Sequence, residues 1–207
     1  IKDSIYINSL FPHLLHKITS QRGIKLIHFS TDCIFSGSEG GYKEESVSNA
    51  KDIYGKTKFL GEIIGPKALT LRKSTIGLEL GNDHGLIEWW LKQKGQINGY
   101  SRAIYSGVIT SELANIICLL LEEYPELEGL FNVASEPISK YEILNQLQFN
   151  LGRNDVELER DSSFECDRSL DGNEFNKITG YKPPSWQSML SDLSLEIQSR
   201  EKRKYHV

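Results

Sequence analysis

Two short apolar runs, Lys25–Phe29 and Ala68–Arg72, are separated by a polar loop and a helical segment, and this alternation constrains the fold more than any other feature. Strands that run parallel need a long crossover, usually a helix, whereas antiparallel strands can be joined by a tight turn. Upstream, Ile7, Leu10, Phe11, Leu14, Leu15 and Ile18 recur at helical spacing between Ser4 and Gln21, and Gly23 ends that helix. Between the runs, Asp52 is placed to cap a helix carrying Tyr54, Lys58, Leu60 and Ile64, which Pro66 stops. The order helix, strand, helix, strand predicts a parallel sheet of the α/β class.

Beyond Gly77 the pattern changes. A glycine-containing loop leads to a helix over Leu86–Lys94, a short strand near Ala103–Tyr105, and a helix over Ser111–Glu123 that buries Leu113, Ile116, Ile117, Leu120 and Leu121. Leu130–Val133 reads as a strand. Ser139 with Glu142 three residues on is a capping pair, and Trp186–Ile197 forms a last amphipathic helix. No internal repeat or low-complexity tract is present.

The 207 residues are 39% hydrophobic and 25% charged, which suits a folded domain with an appendage. A net charge of −4 with scattered Lys and Arg argues against nucleic acid as a partner. The basic cluster Arg200, Lys202, Arg203, Lys204 is explained by cations at a helix C-terminus. Cys33, Cys118 and Cys166 stand far apart, so neither a metal site nor a disulfide framework is expected, and a reducing cytoplasm is the expected compartment. No apolar run reaches the roughly 20 residues of a membrane span, and no signal segment opens the chain.

The chemistry-bearing residues are Ser30-Thr31-Asp32 after the first strand and Tyr54-x-x-x-Lys58 on the following helix. Ligands of open α/β sheets bind at the carboxyl ends of strands. Four-residue spacing puts Tyr54 and Lys58 on one helix face. A tyrosine with its ordinary pKa near 10 is a poor proton-transfer group at neutral pH. A nearby ammonium such as Lys58 is expected to lower that value, with the Thr31 hydroxyl bonding the same oxygen or the substrate's.

A Tyr and a Lys four apart are weak alone, but the context is specific: Ser30-Thr-Asp-Cys-Ile-Phe-Ser-Gly37, Tyr42-Lys-Glu-Glu, and Tyr54-Gly-Lys-Thr-Lys-Phe-Leu-Gly-Glu62. This arrangement resembles the extended short-chain dehydrogenases, most closely the dTDP-4-dehydrorhamnose reductase family. Further matches follow at Leu71-Arg72, Ser106-Gly107, Leu113-Ala114 and Phe131-Asn132-Val133. Cys33 departs from the pattern, standing where the family commonly has Tyr.

The resemblance implies the C-terminal part of a Rossmann-like parallel sheet over residues 1–80, carrying the catalytic pair. Residues 81–207 are then mainly a small α+β substrate-binding region, with about 104–123 returning to the Rossmann domain. It implies Tyr54 as proton donor to the substrate carbonyl, Lys58 as holder of the nicotinamide ribose, Thr31 as orienter of the carbonyl, and Ser74 as a cofactor contact. NADP or NAD is the implied cofactor, a 4-keto nucleotide-deoxysugar the substrate, and polysaccharide precursor synthesis the setting; a homodimer is the partner arrangement the resemblance allows. Asn8 matches a position often held by Asn, for which a backbone bond is expected. Trp89, Trp90 and Ile104–Gly107 fall in the substrate region, where core packing accounts equally well for either tryptophan.

The same triad also serves epimerases and dehydratases, and the family resembles the regulatory β-subunit of methionine adenosyltransferase, a binding module without a demanding reaction. The dinucleotide fingerprint is not found: Gly77, Gly81 and Gly85 lack the spacing and following helix of a pyrophosphate-binding turn. The segment expected to carry that turn would precede Ile1, and without it poor NAD(P) binding is expected.

Overall fold

A computed structural model describes residues 1–81 and 84–204, apart from the side chains of Arg203 and Lys204. The chain opens with a helix, α1 (Lys2–Ile5), that passes through a π-helical turn (Tyr6–Leu10) into α2 (Phe11–Gln21). Strand β1 (Leu26–Thr31), α3 (Ile53–Leu60) and β2 (Ala68–Lys73) follow, and β1 and β2 pair in parallel. The α/β order therefore holds, with each strand extending past the expected end, so that Ser30 and Thr31 are the last two residues of β1.

After β3 (Thr75–Ile76) come α4 (Leu86–Leu91), β4 (Gly95–Tyr105), β5 (Val108–Ile109), α5 (Thr110–Glu122) and β6 (Gly129–Val133). Strand β6 pairs with β2, giving a parallel sheet ordered β1-β2-β6. The segment that joins this sheet from the second half of the chain is thus β6, which lies outside the expected 104–123, while β5 pairs with β3 in a separate two-stranded sheet. The chain ends with β7 (Ile138–Ser139), α6 (Lys140–Leu151), β8 (Val156–Asp167), α7 (Asn173–Thr179) and α8 (Trp186–Lys204). Strands β7, β4 and β8 form a second sheet, with β4 and β8 parallel and β7 antiparallel to β4. Strand β4 starts at Gly95, well before its expected start, and β8 had no counterpart in the sequence pattern, nor had the two-residue strands β3, β5 and β7.

One apolar core joins the two sheets. Leu69 and Leu71 of β2, Ile116 and Leu120 of α5, Ile143, Leu144 and Leu147 of α6 and Leu190, Leu193 and Ile197 of α8 belong to it. Trp90 is fully buried there, with the Arg153 guanidinium 4.8 Å from its ring centroid; Trp89 is partly exposed, and neither lines a cavity described below. A smaller cluster of Ile34, Phe35, Tyr42, Ala134 and Leu170 anchors the loop after β1, with the Phe35 and Tyr42 rings stacked at 4.1 Å.

The first helix departs from its amphipathic pattern. Ile7, Leu10, Phe11, Leu14 and Ile18 are exposed, while only Ser9 and Pro12 are buried. Helical spacing predicts a face that wants cover without supplying the cover, and β1, on the same side of the sheet order, pairs only with β2. Among the described residues no helix is long and apolar enough to cross a membrane. Arg200 of the basic cluster pairs with Glu88 of α4; the side chains of Arg203 and Lys204 lie outside the described residues.

Candidate active site

The helix bearing Tyr54 and Lys58 is held against β1 by close backbone approach. Asp52 caps α3, its Oδ1 accepting from the Gly55 N–H at 2.8 Å. A Cβ on Gly55 would lie 2.1 Å from the Cys33 carbonyl oxygen, and one on Gly61 would lie 1.8 Å from that of Asn8. The two glycines of the Tyr-Gly-x-x-Lys-x-x-Gly-Glu stretch thus let both ends of α3 sit closer than any side chain allows. The π turn supplies the grip from the other side: Asn8 Nδ2 donates to Thr57 Oγ1 at 3.2 Å, and Ser9 Oγ donates to the Thr57 carbonyl at 2.8 Å. Asn8 therefore bonds a side chain where a backbone bond was expected, and it positions α3.

The result is a cleft of about 270 Å³ at the carboxyl end of the parallel sheet, lined by residues 29–33 and 73–75 together with Tyr54 and Lys58. Thr31, Tyr54, Lys58 and Ser74, separated by up to 43 positions (74 − 31), all come together there. Thr31 Oγ1 donates to Asp32 Oδ1 at 3.1 Å and accepts from the Cys33 N–H.

The electrostatics differ from the expected pairing. Burial pushes the half-exposed Tyr54 phenol up, against the pull of the Thr31 hydroxyl, and Cys33, Asp32 and Asp52 push it further. Lys58 Nζ instead donates to the Phe29 carbonyl oxygen at 2.6 Å, and burial, followed by the Lys73 charge, lowers its pKa. Tyr54 thus keeps its phenolic proton at ordinary pH, and Thr31 rather than Lys58 is the group that draws its pKa down.

Asp32, Cys33, Ser74 and Thr75 also border a second, larger cavity of about 410 Å³, next to the first across these shared walls. Here the residues are Tyr105 from β4, Lys140 from α6, and Phe164, Cys166 and Arg168 around the end of β8. The buried Tyr105 hydroxyl and the buried Arg168 Nε have no hydrogen-bond partner. Arg168 Nη1 donates to Cys33 Sγ at 3.4 Å, and burial, followed by the Asp32 charge, raises the Cys33 thiol and so holds it in its protonated form. Burial also raises the pKa of Asp32, against hydrogen bonds from Ser74, Cys33 and Thr31. Sequence reading named none of Lys73, Tyr105, Lys140 and Arg168; only Tyr105 fell in a stretch already tied to substrate, and β8, which brings Arg168, was not foreseen. Among the described residues no group of His, Cys, Asp and Glu is arranged to hold a metal ion.

A family model described as the RmlD substrate binding domain matches residues 2–143. A dTDP-4-dehydrorhamnose reductase of Aggregatibacter actinomycetemcomitans is 30% identical over 54% of this chain and 42% of its own length. The spore coat polysaccharide biosynthesis protein SpsK of Bacillus subtilis is 30% identical over 65% of this chain and 49% of its own. The chain thus spans about half the length of these curated relatives. The solved structure of dTDP-4-dehydrorhamnose reductase from Bacillus anthracis in complex with NADP shares the fold at a TM-score of 0.76, with 22% identity over 91% of this chain and 72% of that one.

Proposed function

The chain belongs to the RmlD substrate-binding-domain family, and from that premise we propose that it serves an NAD(P)H-dependent reductase converting the 4-keto group of a nucleotide-activated deoxysugar to an alcohol, for polysaccharide precursors. The observation that carries this is the convergence of Thr31, Tyr54 and Lys58 in one cleft that shares walls with a larger cavity of mixed polar and apolar lining. Buried polar groups normally find partners, so an orphan Tyr105 hydroxyl and Arg168 Nε beside an empty volume await a polar ligand. Sugar hydroxyls suit the first, and a diphosphate suits Arg168 together with Lys140. On the same reading, residues 1–80 belong to the cofactor domain and 81–207 mainly to the substrate region, with about 104–123 and β6 returning. Three free cysteines fit a reducing cytoplasm.

The residues present fit a nicotinamide ribose: Lys58, Tyr54 and Ser74, all with hydrogen-bonding side chains, line the same cleft. NADP or NAD, when bound, supplies the hydride. In this arrangement Thr31 donates to the ketone oxygen and Tyr54 delivers its phenolic proton to the same atom. Lys58 holds the ribose and shares its charge with the phenolate left behind.

Full-length protein incubated with NADPH and a panel of nucleotide 4-keto-6-deoxysugars is expected to consume NADPH, with Tyr54→Phe slowing turnover by about 10²- to 10⁴-fold, the usual worth of general acid catalysis. No turnover across the panel overturns the proposal. Product of unchanged redox state points to an epimerase or dehydratase, and a tightly bound protein partner unaffected by Tyr54→Phe points to a binding module.

A further inference from the structure

Lys73 is the last residue of β2, and the parallel register pairs it with Thr31. Partners in a parallel ladder project from the same face, with their strands about 4.8 Å apart. The Lys73 side chain therefore stands beside the Thr31 hydroxyl, in the same cleft as Tyr54 and Lys58. Its ammonium donates to the neutral Thr75 Oγ1 at 3.1 Å and lies 5.6 Å from the Phe29 ring centroid. Among the described residues no carboxylate forms an ion pair with it. Asp32 is the acidic group that acts on it, and burial outweighs that action, leaving its pKa lowered. Desolvated charges are ordinarily paired, so a part-buried lysine with no carboxylate partner at the edge of a ligand cleft stands ready for negative charge.

We propose that Lys73 is a further catalytic residue, an oxyanion stabiliser whose ammonium meets the substrate carbonyl oxygen as it becomes an alkoxide, an assignment that rests on the reductase function proposed above. In that step the hydride pair from NAD(P)H forms the new C–H bond and the carbonyl π pair moves to oxygen. The Tyr54 O–H bond then breaks, its proton going to that oxygen and its electron pair remaining on the phenolate. Full negative charge exists at the oxygen only between these events. A cation placed there acts on the transition state and hardly at all on the ketone, which is the condition for raising kcat rather than lowering KM.

The test is steady-state kinetics on full-length wild type, Lys73→Met and Lys73→Arg with a nucleotide 4-keto sugar, beside thermal unfolding of the same proteins. Lys73→Met is expected to lower kcat by about 100-fold with KM within a factor of two, and Lys73→Arg, which keeps the charge, to recover much of the loss. The unfolding midpoint of Lys73→Met should stay level or rise, because an unpaired desolvated charge has been removed. An active wild type whose Lys73→Met variant keeps its kcat overturns this assignment alone. So does a tenfold rise in KM at constant kcat, the mark of a ground-state anion contact. A fall in midpoint with kcat unchanged marks a structural lysine. A wild type inactive on every sugar overturns the reductase function itself, and this assignment with it.

Discussion

Glu62 and Arg72 form a buried ion pair whose removal tests how the cleft is held in place. The Glu62 carboxylate accepts from Arg72 Nε and Nη2, each at 2.8 Å, and from Ser30 Oγ at 2.6 Å. Arg72 Nη1 donates to the Glu44 carbonyl at 2.9 Å, and the guanidinium sits 5.5 Å from the Phe35 centroid. Both side chains are almost fully enclosed, at 4% and 6% exposure, so solvent does not screen the pair. Glu62→Gln keeps the shape but leaves the guanidinium charge uncompensated and turns an amide donor toward it. Breaking one side of such a buried pair costs about 3–5 kcal/mol. For a chain of this size each kcal/mol moves the melting midpoint by about 2–4 °C, so a fall on the order of 10 °C is expected. Urea unfolding should show a lower midpoint at constant m. The double variant Glu62→Leu with Arg72→Met removes both charges and should recover much of the loss. A Glu62→Gln cost under about 1 kcal/mol, or a double variant no better than the single, would refute the account of an enclosed, mutually dependent pair.

Two further perturbations probe the same neighbourhood. Gly55→Ala gains about 1 kcal/mol of helix propensity, yet its Cβ would meet the Cys33 carbonyl at 2.1 Å and Ala50 Cβ at 2.7 Å. The clash should win, costing about 2 kcal/mol net in urea unfolding and, by moving Tyr54, about 100-fold in turnover; a more stable variant would show that α3 has room to spare. His28 is kept neutral by burial and then by the Lys58 and His13 charges, its pKa lowered from 6.5 to about 4. The unfolded chain therefore takes up this proton from pH 6.5 downward while the folded chain resists until about pH 4, so stability is complete above 6.5 and falls through that window. The fall is worth at most about 3.4 kcal/mol and roughly 2 after discounting for partial exposure. His28→Phe should flatten that slope between pH 7 and 4.5, and an unchanged slope would sink the assignment.

What could be read from the sequence was whatever had a local cause. The α6 start was legible because Ser139 and Glu142 make both bonds of a capping box, and α3 because Asp52 caps it ahead of an apolar face. Thr31, Tyr54 and Lys58 were legible from type and spacing. Strand β8 was not: Val156 to Asp167 is mostly charged and polar, and it is a strand because it pairs along β4, itself begun by Gly, Gln, Ile and Asn. Long-range pairing overrode weak local preference in both. Arg168, just past β8, went unseen for the same reason, while Tyr105 was marked only as part of the stretch Ile104–Gly107, and Lys73 was missed because its meaning lies in a register that spacing alone does not reveal.

That register divides the strand ends into two kinds of surface. Successive residues of a strand face opposite ways, so Ser30 pairs with Arg72, which pairs onward with Asn132, while Thr31 pairs with Lys73. The first row is the better paired: Ser30 and Arg72 share Glu62, and Asn132 donates to the Tyr42 and Asp171 carbonyls, with only its Oδ1 left without a partner. The second row is left short of partners, with Lys73 on a lone hydroxyl and Thr31 against a carboxyl raised by burial. Stability and chemistry are thus assigned to alternate residues of the same two strands, and unsatisfied groups on the second row cost folding energy that only a ligand recovers. The consequence is a difference in sign between neighbours one residue apart: disrupting the Arg72 pair through Glu62→Gln must lower the unfolding midpoint, and Lys73→Met must not. Both midpoints falling together would mean that the two rows share one structural role and that the division fails.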